Sequence, residues 1–142
     1  MKKALILSVM VVFSLFAVSS AFAGGKCPQP RKTKAAPGSV AKKDMTGKAN
    51  LANGEKLYNK TAKPMACKMC HGDKGDGGGK LGKALKPGPR NFTCAETMKD
   101  VSPGQMFHII KNGSAGTGMD KQKLSDKEIW DVIKYIRTTF VK

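Results

Sequence analysis

Acidic residues are scarce in this chain: 10 Asp and Glu stand against 26 Lys and Arg in 142 residues, for a formal charge of +16. Aromatic residues are few as well, at 6%, with one Trp and two Tyr. Beside 16 Gly and many lysines, that leaves little side-chain bulk for a core, and a large apolar cofactor at the centre would make up the deficit. Long hydrophobic runs are missing except for one, Ala4 to Val18, which is shorter than the roughly twenty residues a membrane helix needs. Nothing after Gly24 is apolar for long enough to cross a bilayer, so a membrane span in the remainder is excluded. Internal repeats and any βαβ pattern are also absent, which removes solenoid architectures and thioredoxin-like folds.

The run that is present has the grammar of a secretory signal. Met1, Lys2 and Lys3 precede the apolar stretch, and Ala21-Phe22-Ala23 gives a small-x-small cleavage site. Cleavage after Ala23 is expected to leave 119 residues and a charge of +14, exported to the periplasm as one small domain with a tail. So basic a surface implies an acidic partner protein, an anionic membrane face or nucleic acid. Export argues against nucleic acid.

Residues 24–48 are rich in Lys, Pro, Ala and Gly and lack a helical or strand period, so they are expected to form an extended arm, with the folded domain spanning 49–142. Three main helices are expected within it. The first covers about Leu51 to Thr61, with Leu51, Leu57 and Tyr58 available for a buried face and Gly54 as a point of close backbone approach. The second starts at Ser102, with Pro103 at its first position and Gln105 completing a capping box, and stops at Asn112-Gly113. The third follows Ser125, which caps while Glu128 reaches back, and buries Ile129, Val132, Ile133, Ile136 and Phe140 at a 3.6-residue period. Two long Gly, Lys and Pro-rich stretches, 72–100 and 114–123, separate them. Loops of that length need something to hold them.

Residues 67–71 read Cys-Lys-Met-Cys-His, and C-x-x-C-H is the attachment signature of c-type haem. Two thiols at this spacing can add to the two vinyl groups of the porphyrin, and the adjacent His71 can reach the iron as an axial ligand. Structural zinc would require more Cys or His at suitable spacing, and only Cys27, Cys94 and His108 remain. Covalent attachment also prevents loss of the cofactor outside the cell.

In order along the chain, a short helix precedes Cys67-Lys68-Met69-Cys70-His71. Then come Gly72-Asp73-Lys74-Gly75-Asp76-Gly77, Lys86-Pro87-Gly88-Pro89-Arg90-Asn91-Phe92, Asn112-Gly113, Gly118-Met119 and Leu124-Ser125-Asp126-Lys127-Glu128-Ile129-Trp130. With these features residues 49–140 resemble the class I c-type cytochromes. The resemblance implies a small all-α cytochrome c fold, with three main helices and long loops wrapped around one covalently bound haem c. It implies Met119 as the second axial ligand of the iron, a soft thioether that raises the potential. It also implies a proline carbonyl, of Pro87 or Pro89, as the hydrogen-bond partner that orients His71. Among the other methionines, Met98 is the rival for the iron, Met65 and Met69 sit too near the attachment site, and Met106 belongs to a helix face. His108 is expected to serve packing or a local hydrogen bond.

Cys27 and Cys94 lie outside the motif, and in an exported protein two leftover cysteines most often form a disulfide. The implied function is single-electron transfer between redox partners, without catalysis, with Lys68, Lys74, Lys80, Lys83, Lys86, Lys111, Lys121 and Lys123 around the haem crevice steering an acidic docking face. The competing reading is an open-site haem that binds a small gas or peroxide, with His108 or Lys121 as a distal donor. A third is the haem subunit of a larger oxidoreductase complex.

Overall fold

The computed structural model describes residues 25–30 and 33–142; the expected signal sequence lies outside them. Six helices account for its regular structure, and there is no strand among the described residues. Helices α1 (Gly38–Ala41) and α2 (Leu51–Lys56) come first, with a 3₁₀ turn at Thr46–Lys48 between them. A single π-turn, Leu57–Thr61, extends α2. Helices α3 (Lys68–His71), α4 (Ala95–Met98), α5 (Pro103–Asn112) and α6 (Asp126–Thr139) follow.

Each of the three expected helices forms, and for the reasons its sequence supplies. Asn50 caps α2 by accepting from the Asn53 backbone N–H. At α6 the Ser125 and Glu128 capping box is complete on both sides, satisfying N–H groups that the first turn leaves without partners. The apolar stripe of α6 is buried as its period requires, and Trp130 and Asp131 are buried with it. Leu51 departs from expectation: it is 41% exposed, and the inner face of the first helix is made by Gly54, Leu57 and Tyr58. At α5 the Ser102 cap forms, but Gln105 does not close a box with it. Its side chain accepts from the Ala36 backbone at 2.6 Å and donates to the Lys34 carbonyl at 2.9 Å.

Those two bonds belong to a wider difference from the sequence expectation. Residues 25–30 and 33–48 are folded against the domain rather than extended from it. Ser102 Oγ donates to the Ala41 carbonyl at 2.7 Å, and Gly104 approaches the Val40 carbonyl so closely that a Cβ there would collide with it. Cys27 and Cys94 are joined by a disulfide. Polar side chains of the folded domain find their partners in this segment, and a hydropathy pattern does not register such contacts.

Helices α2 and α6 cross at Gly54, where any Cβ would run into the Asp131 carbonyl. Beside that crossing the Asp131 carboxylate, 0% exposed, accepts from the Asn50 N–H at 2.7 Å, Asn53 Nδ2 at 2.8 Å and Lys127 Nζ at 3.0 Å. Burial pushes its pKa up, but those donors outweigh burial and hold it below the ordinary carboxylate value. A depressed folded pKa contributes stability that is complete above the unfolded value near pH 4 and is lost as pH falls through the folded one. Asp131→Asn is therefore expected to cost about 2 kcal/mol at pH 6, the worth of hydrogen bonds to a charged acceptor, with the gap to the parent closing as pH falls below about 4. Thermal unfolding across that range measures it, and a gap independent of pH would show that the charge contributes nothing.

Candidate functional site

Helix α3 is a single turn, and the loop after it serves as its cap. Gly77 N–H donates to the His71 carbonyl at 2.8 Å, Gly79 to Cys70 at 3.2 Å and Leu81 to Met69 at 2.8 Å. Carbonyls that a short helix leaves without partners thereby tie the 72–82 loop around the Cys67–His71 turn. Tyr58, 0% exposed, donates its hydroxyl to the Gly72 carbonyl at 2.8 Å. The long loops expected to need a cofactor to hold them have this backbone network as well.

On the other side the 114–123 stretch is fixed at both ends. Gln122 N–H donates to the Ile110 carbonyl at 2.9 Å and Lys123 N–H to Lys63 at 2.8 Å. Gly113 ends α5 at φ 80°, and Ser114 N–H donates to the Met119 carbonyl at 2.8 Å. Met119 N–H donates to Thr117 Oγ1 at 3.0 Å.

Between these two walls lies a cleft of about 430 Å³ that Cys67, Cys70, His71 and Met119 all line, a size within the ordinary range for a small-molecule or cofactor site. Its apolar wall is built from α5 and α6 by Met106, Ile109, Ile110, Val132 and Ile136, with Leu85 and Phe92 opposite. Met98, the rival sulfur, lines it too, as do Met65 and Met106, so lining alone does not single out Met119. His108 and Lys121 are not among the lining residues. His108 Nδ1 instead meets Asn112 Nδ2 at 3.1 Å.

The His71 ring is fixed on two sides. Phe92 stacks on it at 4.5 Å between centroids, 15° from parallel. Its Nδ1 lies 3.1 Å from the Arg90 carbonyl, an acceptor only, so Nδ1 carries the proton and Nε2 holds the lone pair. Neither Pro87 nor Pro89 supplies that carbonyl, contrary to the sequence expectation. Both prolines line the cleft, and the bond falls on the residue that follows them. Burial pushes the His71 pKa down to about 4, so the ring is neutral, as a metal ligand must be.

Burial also pushes the Cys67 thiol up to about 12 and raises that of Cys70. Dithiol redox sites lower the thiol pKa, and this pair does the opposite. Two protonated thiols, a neutral imidazole and a thioether around one apolar cleft fit an iron porphyrin attached through both sulfurs. Sequence pattern gives neither Arg90 nor Phe92 a role, although both stand in the loop expected to supply the partner of His71. Gln29 and Thr33 also line the cleft, and nothing in their surrounding sequence signals it.

The sequence model of the family described as cytochrome c matches residues 51–140. No curated protein matches. Among solved structures, one from Kuenenia stuttgartiensis titled as a reducing HAO-like protein complex is similar at 27% identity and a TM-score of 0.54, covering 65% of this chain. The present chain spans 44% of the length of that one.

Proposed function

Because this chain belongs to the cytochrome c family, and so carries haem c covalently and transfers electrons through its iron, we propose that it works as a periplasmic electron shuttle, not an enzyme, with a His71/Met119-ligated haem. The observation that supports this most directly is the single cleft lined by Cys67, Cys70, His71 and Met119. In this reading Cys67 and Cys70 would hold the porphyrin by thioethers, and His71 Nε2 and the Met119 sulfur would be the iron's ligands. The bound group supplies an iron that passes between ferrous and ferric states. The protein holds its ligands still: the Arg90 carbonyl and Phe92 fix the imidazole, the Thr117 and Ser114 bonds fix the Met119 backbone, and the aliphatic wall excludes water. A site that reorganises little between oxidation states, near a surface, suits rapid electron exchange.

Partners in this reading are redox proteins with an acidic docking face. Lys74, Lys80, Lys83, Lys86, Lys121 and Lys123 are exposed and can steer such a face, whereas Lys68 and Lys111 are engaged by Asp73 at 3.1 Å and Asp126 at 2.8 Å. Steering of this kind is screened by salt. No helix among the described residues is long and apolar enough to cross a membrane. A second reading, a haem subunit of a larger oxidoreductase complex, is favoured by the likeness to a chain of the reducing HAO-like complex. It keeps the same electron transfer and changes only the partner. The open-site gas or peroxide reading would require an iron that Met119 does not close.

Absorption spectra of the haem-loaded protein separate these readings. The expected result is the weak red band of sulfur-to-iron ligation in the oxidised form and no response of the reduced form to carbon monoxide. A missing band with ready carbon monoxide binding would replace the shuttle by the open-site reading.

A further inference from the structure

We propose that the described residues 25–30 and 33, which lie outside the family match, are a working part of the haem site, and that Gln29 is a positioning residue for His71. The proposal rests on His71 as an iron ligand. The Gln29 carboxamide enters the loop Pro89-Arg90-Asn91 and bonds to all three residues. Its Nε2 donates to the Pro89 carbonyl at 2.9 Å, and its Oε1 accepts from Arg90 Nη1 at 3.2 Å and from the Asn91 backbone N–H at 3.0 Å. The middle residue of the three offers the carbonyl that His71 Nδ1 meets at 3.1 Å.

A peptide group held on both flanks cannot swing without breaking those bonds, so the direction of the Arg90 carbonyl, and with it the plane of the imidazole, is set from residue 29. The Arg90 guanidinium also donates to Thr33 Oγ1, which gives the loop a second hold on the same segment. Gln29 is itself anchored. Its backbone N–H donates to Thr97 Oγ1 at 3.1 Å, Cys27 is bonded to Cys94 two positions before it, and Asn91 Nδ2 donates to the Gly25 carbonyl at 2.9 Å. Only a carboxamide both donates and accepts here. Glutamate would keep the two accepting contacts and lose the bond to Pro89, and leucine would keep the bulk and lose all three.

A bond from Nδ1–H to a well-placed carbonyl makes an imidazole a stronger donor to its metal and favours the ferric state. Loosening it favours the ferrous state. In haem-loaded protein, Gln29→Leu is expected to raise the ratio of reduced to oxidised haem at a fixed ambient potential by up to tenfold, equal to about 59 mV for one electron, and to move the paramagnetically shifted His71 ring resonances. Gln29→Glu, which keeps the two accepting contacts, is expected to move the His71 resonances in the same direction by less. If Gln29→Leu lowers the unfolding temperature while potential and His71 resonances stay at the parent's values, Gln29 merely fastens the segment and the proposal is overturned. Absence of shifted His71 resonances from the parent protein would remove the ligand itself, and the shuttle reading would fall with the proposal.

Discussion

Met119→Ala abolishes the sulfur-to-iron band, admits carbon monoxide to the reduced protein, and lowers the midpoint potential by on the order of 0.1 V or more: these are the results expected from the proposed role of Met119 as an iron ligand. Axial ligand identity moves haem potentials over a range of about 0.8 V, and a thioether stabilises ferrous iron because both are soft. Its loss leaves water or a weaker donor on the ferric side. The expected magnitude is large because nothing else needs to change. Met119 is only half-buried, and the hydrogen bonds that fix its loop run through its backbone, so truncating the side chain leaves the loop in place. Met65, Met98 and Met106 share the cleft, and they make the measurement discriminating. Should the band survive in Met119→Ala and vanish in Met98→Ala, the buried methionine of α4 would be the ligand and the resemblance at Gly118-Met119 would have misled.

The second large effect is on stability. Replacing Cys27 and Cys94 together by Ser removes a bridge between residues 67 positions apart. In the chain-entropy account such a closure contributes about 4 kcal/mol, which for a domain of this size corresponds to roughly 15 °C in unfolding temperature. Denaturant unfolding of the haem-loaded protein, parent against variant, measures it directly. Equal midpoints would mean that the hydrogen bonds from Gly25, Gln29 and Ala36 already hold the segment as firmly as the covalent bond does.

The parts of the fold that were legible in the sequence are those that local chemistry dictates. Ser125 and Glu128 announce the start of α6, and Ile129, Val132, Ile133 and Ile136 announce its buried face; both features are in place. Cys67 and Cys70 stand out in the sequence because covalent attachment demands a fixed spacing, and His71 because it adjoins them. The partner of His71 was legible only to within a residue or two. The sequence indicates the loop, but which of its carbonyls faces the ring depends on how the backbone turns, and Arg90 rather than Pro87 or Pro89 supplies it. The described segment 25–30 and 33–48 was least legible. Its composition resembles that of a linker, and its order comes from side chains elsewhere, Gln105, Ser102 and Asn91, whose long-range partners leave no periodic trace.

The Asp131 carboxylate and the Asn53 side chain it binds are 78 positions apart, and α2 and α6 meet only when the chain between them has closed. Closing a loop of that length costs chain entropy before any contact offsets it. Docking of α6 on α2 is therefore expected to come late in folding, whereas the bonds that close the 72–82 loop on the Cys67–His71 turn are local in sequence and need no such closure.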